Sequence, residues 1–248
     1  MDHFVYVAAS AARETMLSQA NNANNLANAS TTGFRNDLLM ARSAFVVDPG
    51  RNMTTRVFGM MESSGIDFRE GMVNATGREL DVAINGPGWI AVLAADGSEA
   101  YSRRGDLRVD QFGQLVDGAG SQVMGNSGPI ALPPFSTLEI GADGTISIVA
   151  VGETPNTLFE IDRIKLVNPG RELLVKNADG TIRTQTGEEV QADVAVSLLS
   201  GSLESSNVNT VESMVRMIEL SRQFESHVKM MKTAEELSQS SVQLMSMS

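Results

Sequence analysis

Residues 21–35 read Asn21-Asn22-Ala23-Asn24-Asn25-Leu26-Ala27-Asn28-Ala29-Ser30-Thr31-Thr32-Gly33-Phe34-Arg35. Five asparagines fall within residues 21–28. Asparagine competes with the backbone for hydrogen bonds and weakens a helix interior. Such a density makes sense where the amides bond to neighbouring chains or cap a turn. Ser30-Thr31-Thr32-Gly33 then stops the helix, with Gly33 suited to a left-handed backbone.

Upstream, residues 3–29 hold no Gly or Pro and are rich in Ala. Val5, Ala9, Ala12, Met16, Gln19, Ala23 and Leu26 recur at alternating spacings of four and three, the seam of a helix that packs on another helix. Ala buries little area, so this helix requires a partner. The C-terminal region supplies one, since residues 202–248 also lack Gly and Pro. There the seam runs Met214, Met217, Ser221, Phe224, Val228, Met231, Glu235, Ser238, Val242 and Met245, with Val211, Val215 and Ile218 as a flanking row. A helix of about 40 residues spans roughly 60 Å, longer than one compact domain of this size needs.

Between the helices the pattern changes to short apolar runs separated by turn residues. Leu80–Ile84, Trp89–Leu93, Leu107–Val109, Leu115-Val116, Ile130–Leu132, Ile146–Val149, Ile161–Val167 and Val194–Leu199 are the expected strands. Asp-Gly pairs at Asp96-Gly97, Asp117-Gly118, Asp143-Gly144 and Asp179-Gly180 suit tight hairpin turns. Residues 36–70 read as an extended arm carrying one strand, with Leu38-Leu39-Met40 and Phe45-Val46-Val47 apolar and Pro49-Gly50 breaking the run. The expectation is an α+β fold: an antiparallel β-rich central domain flanked by long terminal helices that pair in a coiled-coil-like manner. Its segments are a helix and turn at 1–35, the arm at 36–70, the β domain at 71–200 and the second helix at 201–248.

Composition narrows function by exclusion. The chain has no cysteine, which removes disulfides, thiolate catalysis and Cys-based metal sites. His3 and His227 stand alone, one in each terminal helix, without further ligands at metal-binding spacing and without a Gly-x-Ser-x-Gly elbow elsewhere. Glu188-Glu189 and Glu235-Glu236 are sequence neighbours that read as solvated pairs. No Walker or Rossmann pattern is present, so no enzyme, cofactor or metal is expected. The net charge of −11 is uneven: residues 36–203 hold 22 acids against 13 bases, while both ends are near neutral. An acidic middle disfavours nucleic acid and anionic membrane as partners. No window approaches the roughly 20 apolar residues that span a bilayer, and the N-terminus lacks the basic and apolar regions of a signal peptide.

The stretch Asn25-Leu26-Ala27-Asn28-Ala29-Ser30-Thr31-Thr32-Gly33-Phe34-Arg35 resembles the N-terminal signature of the bacterial flagellar rod and hook proteins, which typically reads Asn-Leu-Ala-Asn-(Ala/Val)-x-Thr-Pro-Gly-(Phe/Tyr)-(Lys/Arg). Thr32 stands where that family usually has proline. Leu80–Val92, Tyr101–Gly105 and Asp110–Val116 resemble the family's central β domain, and Leu203-Glu204-Ser205-Ser206-Asn207-Val208-Asn209 resembles the approach to its C-terminal helix. Within the family, the Met-Asp start, Trp89, the length and the Met-Ser-Met-Ser ending are most similar to the proximal-rod branch, with the distal-rod branch the close competitor.

That resemblance implies a structural subunit of the flagellar basal-body rod, exported by the flagellar type III apparatus and lodged in the periplasm. Its expected partners are other copies of itself, neighbouring rod proteins and the export apparatus. It would polymerise through both helices, transmit torque and line the export channel. The implied assembly motif is Asn25, Leu26, Ala27, Asn28, Thr31, Gly33 and Phe34, with Leu203, Glu204, Ser206, Asn207 and Val208 as its C-terminal counterpart. The packing residues are Val5, Ala9, Ala12, Met16 and Ala23 in the first helix and Met214, Met217, Ile218, Phe224, Val228 and Met231 in the second. Alternatives are a distal-rod or hook-basal paralogue, or a secreted β-rich binding module on a helical stalk.

Overall fold

A computed structural model describes residues 2–45, 57–152, 157–177 and 181–246. The fold is α+β, with antiparallel sheets and two long terminal helices that pack together. The chain forms two compact units, one of Met1–Ala29, Asp37–Gly65 and Val208–Ser248, the other of Ser30–Asn36 and Ile66–Asn207.

The first unit is built on α1 (Asp2–Ala27) and α2 (Thr210–Ser246). Asn209 caps α2: its Oδ1 accepts from the backbone N–H groups of Val211 at 3.1 Å and Glu212 at 3.3 Å. Glu212 in the first turn adds a favourable charge at the positive end of the helix dipole. At the end of α1, Asn28 donates from both its backbone N–H and its amide to the Asn24 carbonyl, at 3.1 and 3.0 Å. The helix pair is antiparallel, because Asn22 near the end of α1 bonds Ser213 at the start of α2.

The arm expected over 36–70 carries two strands rather than one. Asp37–Phe45 and Val57–Ile66 pair as a two-stranded sheet, the first of them lying along α1. Neither strand alternates cleanly. Asp37, Arg42 and Ser43 interrupt the first, and Glu62, Ser63, Ser64 and Gly65 end the second, which hid the pairing. Val46-Val47 and Pro49-Gly50 lie outside the described residues.

The second unit carries the β core. Trp89–Leu93 is buried along four of its five residues and lies centrally. It pairs with Glu99–Ser102 on one edge and with Gln122–Val123 and Leu166–Val167 on the other. The sheet continues through Leu115–Val116 to Arg108–Val109 on one side, and through Ile182–Thr184 to Leu174–Lys176 on the other. Phe135–Ile140, Thr145–Ala150 and Phe159–Arg163 form a separate three-stranded sheet. Val82, Ile90, Leu107, Leu115, Ile146 and Ile164 are among the residues of the main core, all essentially without exposure.

Two Asp-Gly pairs turn as expected: Gly97 and Gly144 hold φ of +82° and +87°, between Trp89–Leu93 and Glu99–Ser102 and between Phe135–Ile140 and Thr145–Ala150. At Asp117-Gly118 the positive φ falls on Gly120 instead, and the Asp117 carboxylate accepts from the N–H groups of Ala119 and Ser121. Asp179-Gly180 lies outside the described residues. Ile130–Leu132, expected as a strand, makes only isolated bridges in its neighbourhood, Gln114 with Ala131 and Met124 with Pro129. Pro129 and Pro133 bracket it, and proline cannot continue a ladder.

Candidate assembly site

The α1 face turned toward the rest of its unit is small and polar. Ala8, Ala12, Thr15, Asn22 and Asn25 are buried. Asn22 donates to the Ser213 carbonyl at 2.8 Å, and Ser213 is itself buried. Asn25 accepts from the Asp37 N–H at 2.9 Å and donates to the Asp37 carbonyl at 3.0 Å, as an adjacent strand would. These two amides therefore bond within the chain, and a buried amide so satisfied carries little penalty.

The buried face of α1 follows the apolar spacing at Ala12 and otherwise falls one residue earlier, at Ala8, Thr15, Asn22 and Asn25. Val5, Ala9, Met16 and Ala23 are exposed, and of the named packing residues in α1 only Ala12 is buried. The physical reason is that the asparagines and Thr15 find partners inside, so the inner face need not be the apolar one; Thr15 donates back to the Ala11 carbonyl. Several larger apolar side chains of α1 point outward, with Tyr6 64% and Met16 56% exposed, beside Val7 and Leu17.

In α2, Met217, Phe224, Val228 and Met231 are half-buried, followed by buried Ala234. Met214 and Ile218 are exposed and join Val211 and Val215 in an outward apolar patch over the first turns of the helix. Beyond it the exposed residues include Arg222, Glu225, Lys229, Lys232 and Glu236. The side chains of Ser238, Val242 and Met245 lie outside the described residues.

In the second unit, the segment after α1 meets the segment before α2. Gly33 N–H donates to the Glu204 carbonyl at 2.8 Å, and Asn207 N–H donates to the Phe34 carbonyl at 3.3 Å. Asn36 N–H donates to Asn207 Oδ1 at 2.8 Å, while the Asn207 amide donates to the carbonyls of Asp67 and Arg69, both at 2.9 Å. Gly33 has φ +66°, and a Cβ there would lie 2.3 Å from the Arg103 carbonyl carbon, so both conformation and space demand glycine. Thr32, in the position where proline is usual, donates its hydroxyl to Asp106 at 2.9 Å, and Asp106 in turn binds Arg104. Phe34 lies under the ammonium of Lys176 at 4.3 Å.

At the centre is a buried charge triad. Glu204 Oε1 accepts from Arg35 Nη2 at 2.6 Å and from Gly71 N–H at 2.8 Å, and Oε2 accepts from Arg103 Nη1 at 3.0 Å. The three side chains are 1–4% exposed. Burial pulls Arg103 below the ordinary guanidinium range, against the attraction of Glu204. Its other end donates to the Gly86 carbonyl at 2.7 Å, and its guanidinium lies 5.4 Å from the centre of the Trp89 ring. Asp67 is held below the usual carboxylate range by its hydrogen bonds from Arg69, outweighing its burial.

Gly33, Phe34, Glu204 and Asn207 are thus brought together. Leu203 and Ser206 are half-buried and Val208 buried beside them in sequence, while Leu26, Asn28 and Thr31 are half-buried and Ala27 exposed. Arg35, Asn36, Asp67 and Arg103 complete the cluster without having been singled out as site residues. Arg35 closes the Asn25–Arg35 motif, and a charged residue there was the available signal. Among the described residues, no group of three or more His, Asp or Glu is placed to hold a metal ion, and no helix is long and apolar enough to cross a membrane.

Comparison with known proteins matches two family descriptions. Residues 199–244 match the flagellar basal body rod FlgEFG protein C-terminal region, and residues 83–148 match the flagellar hook protein FlgE/F/G D1 domain. The chain is 41% identical to the flagellar basal-body rod protein FlgF of Salmonella typhimurium over the whole of both chains, and equally to that of Escherichia coli. It is 32% identical to the flagellar basal-body rod protein FlgG of Buchnera aphidicola subsp. Schizaphis graminum, over 89% of this chain and 91% of that one. End-to-end similarity of this extent, on a fold whose two terminal segments interlock, shows that the chain belongs to the FlgE/F/G family of flagellar basal-body rod and hook proteins, structural proteins of the bacterial motility axis.

Proposed function

We propose that this chain is the proximal-rod subunit of its flagellum, of the FlgF type, and that it performs no catalysis. It is exported through the flagellar type III apparatus and takes its place in the periplasmic rod. Its terminal helices pack with those of adjacent copies and neighbouring rod proteins, forming a tube that transmits torque and lets export substrates pass. The observation that supports this reading is the outward apolar surface of the helix pair, beside a small and polar inner face on α1. Small and polar side chains are used on the inner face of α1, at Ala8, Ala12, Thr15 and Asn22, while Tyr6 and Met16 of α1 and Val211, Met214 and Ile218 of α2 face outward. An apolar surface of that kind marks an interaction site.

The experiment is complementation. The chain is expressed in a strain lacking its own FlgF and, separately, in one lacking FlgG. Restored hooks and swimming in the first strain alone support the proximal-rod assignment. Restoration only in the second moves the chain to the distal rod, the reading favoured by its FlgG relatives. A host deleted for this gene that still builds complete hooks overturns the rod reading altogether.

A further inference from the structure

The segment Ser30–Asn36 and the segment 201–207 are held in unequal ways. The C-terminal segment has its own seat. Ser202, Leu203 and Glu204 pair with Ala75, Asn74 and Val73. Gly201 N–H donates to the Asp81 carbonyl at 2.7 Å, Ser205 N–H to the Met72 carbonyl at 2.8 Å, and Thr76 N–H to the Gly201 carbonyl at 2.8 Å. None of these bonds involves residues 30–36.

The N-terminal segment has the reverse arrangement. Gly33 N–H and Asn36 N–H both end on the C-terminal segment, as does the Arg35 guanidinium, and the Phe34 carbonyl receives its bond from Asn207. Its contacts elsewhere include the Asp67 N–H at the Asn36 carbonyl, the Thr32 hydroxyl at Asp106, the Lys176 ammonium over Phe34 and the close approach of Gly33 to the Arg103 backbone. Arg35 also requires Glu204, because a guanidinium buried without its carboxylate is strongly unfavourable.

We infer that the Ser30–Asn36 segment is a strap that closes only onto an already seated C-terminal segment, so that the two dock in a fixed order. A ribosome makes residues 30–36 long before residues 201–207. The strap therefore stays open in any chain that stops short of residue 201. The device keeps a chain without residues 201–207 from presenting a fully docked Ser30–Asn36 segment.

Hydrogen exchange on the full-length monomer tests the order. Gly33→Ala unseats the strap by strain and by the clash with Arg103. Exchange at the Asn36 and Asp67 amides is expected to rise by roughly tenfold or more, with Gly201 and Ser205 within about twofold of the unaltered chain. Asn207→Ala removes the acceptor of Asn36 and is expected to open the strap, with the Gly33 amide exchanging faster. The core amides of Ala91 and Ile130 report that the unit remains folded in each variant. Gly201 and Ser205 rising together with the strap amides in Gly33→Ala would show one cooperative unit and overturn the order. Unchanged protection of Gly33 in a folded Asn207→Ala chain overturns it as well.

Discussion

The carboxamide of Asn25 spans the main chain of Asp37, accepting from its N–H at 2.9 Å and donating to its carbonyl at 3.0 Å. One side chain thus ties the last turn of α1 to the first strand of the arm. Asn25→Ala leaves both backbone groups of Asp37 without this partner and is expected to destabilise the chain by about 1–3 kcal/mol. Asn25→Asp keeps the acceptor and loses the donor, so it is expected to fall between the two. Urea unfolding of the three chains checks the ranking.

Glu204 is paired with two buried arginines, Arg35 and Arg103. Glu204→Ala strands Arg35 and Arg103 together and is expected to destabilise the second unit by about 3–5 kcal/mol. Arg35→Met strands less, because Glu204 keeps Arg103 and the Gly71 N–H. In a double-mutant cycle the pair should therefore be far from additive. Additive losses in denaturant unfolding would show that the triad does not act as a unit.

The outward faces of the helices can be separated from the inner face by charge. Ile218→Glu and Met16→Glu add a carboxylate at exposed positions and are expected to change monomer stability by no more than about 0.5 kcal/mol. Both are expected to reduce swimming and rod assembly severely. Ala12→Glu places the same group on the buried face and is expected to cost about 2 kcal/mol or more. Swarm diameter set beside thermal unfolding distinguishes the two effects. Full motility with Ile218→Glu and Met16→Glu would count against helix-mediated assembly.

Asp67 supplies a pH dependence with a definite sign. Hydrogen bonds from Arg69 hold its folded pKa below the ordinary 3.8. A lowered carboxylate pKa contributes stability that is present above about that value and is lost as pH falls through the folded pKa. Arg69→Ala is expected to move the Asp67 titration upward and to shrink this acid-side contribution. Carbon-detected NMR titration of the carboxyl between pH 2 and 6 reads the shift.

The sequence made some of this architecture plain and concealed the rest for physical reasons. α2 was visible because Met217, Phe224, Val228 and Met231 repeat at helical spacing over a long run free of Gly and Pro. Trp89–Leu93 was visible because a strand buried on both faces is continuously apolar. Glu99–Ser102 and Phe135–Ile140 carry charged and hydroxyl residues among their apolar ones, so they gave no strand signal. The buried face of α1 does not follow the apolar spacing, because periodicity counts apolar residues and cannot see that Asn22 and Asn25 have partners within the chain. Arg35, Arg103 and Glu204 meet across separations of 101 and 169 residues, and no local pattern announces a pairing made by the fold. The terminal motifs carry a resemblance legible in the residues themselves, whereas their union through Glu204 and Asn207 is made only by the fold.

The outward apolar rows of both helices share a molecule with a net charge of −11. Repulsion between such acidic chains weakens as ions are added, since the screening length contracts from roughly 10 Å at 0.1 M to roughly 3 Å at 1 M. Contact between apolar rows is not screened in that way. Salt therefore acts as a throttle on this protein's colloidal behaviour: dilute buffer keeps copies apart, and concentrated salt lets them cohere. Light scattering across a sodium chloride series should show association growing with ionic strength, the opposite of what an attraction between unlike charges would give.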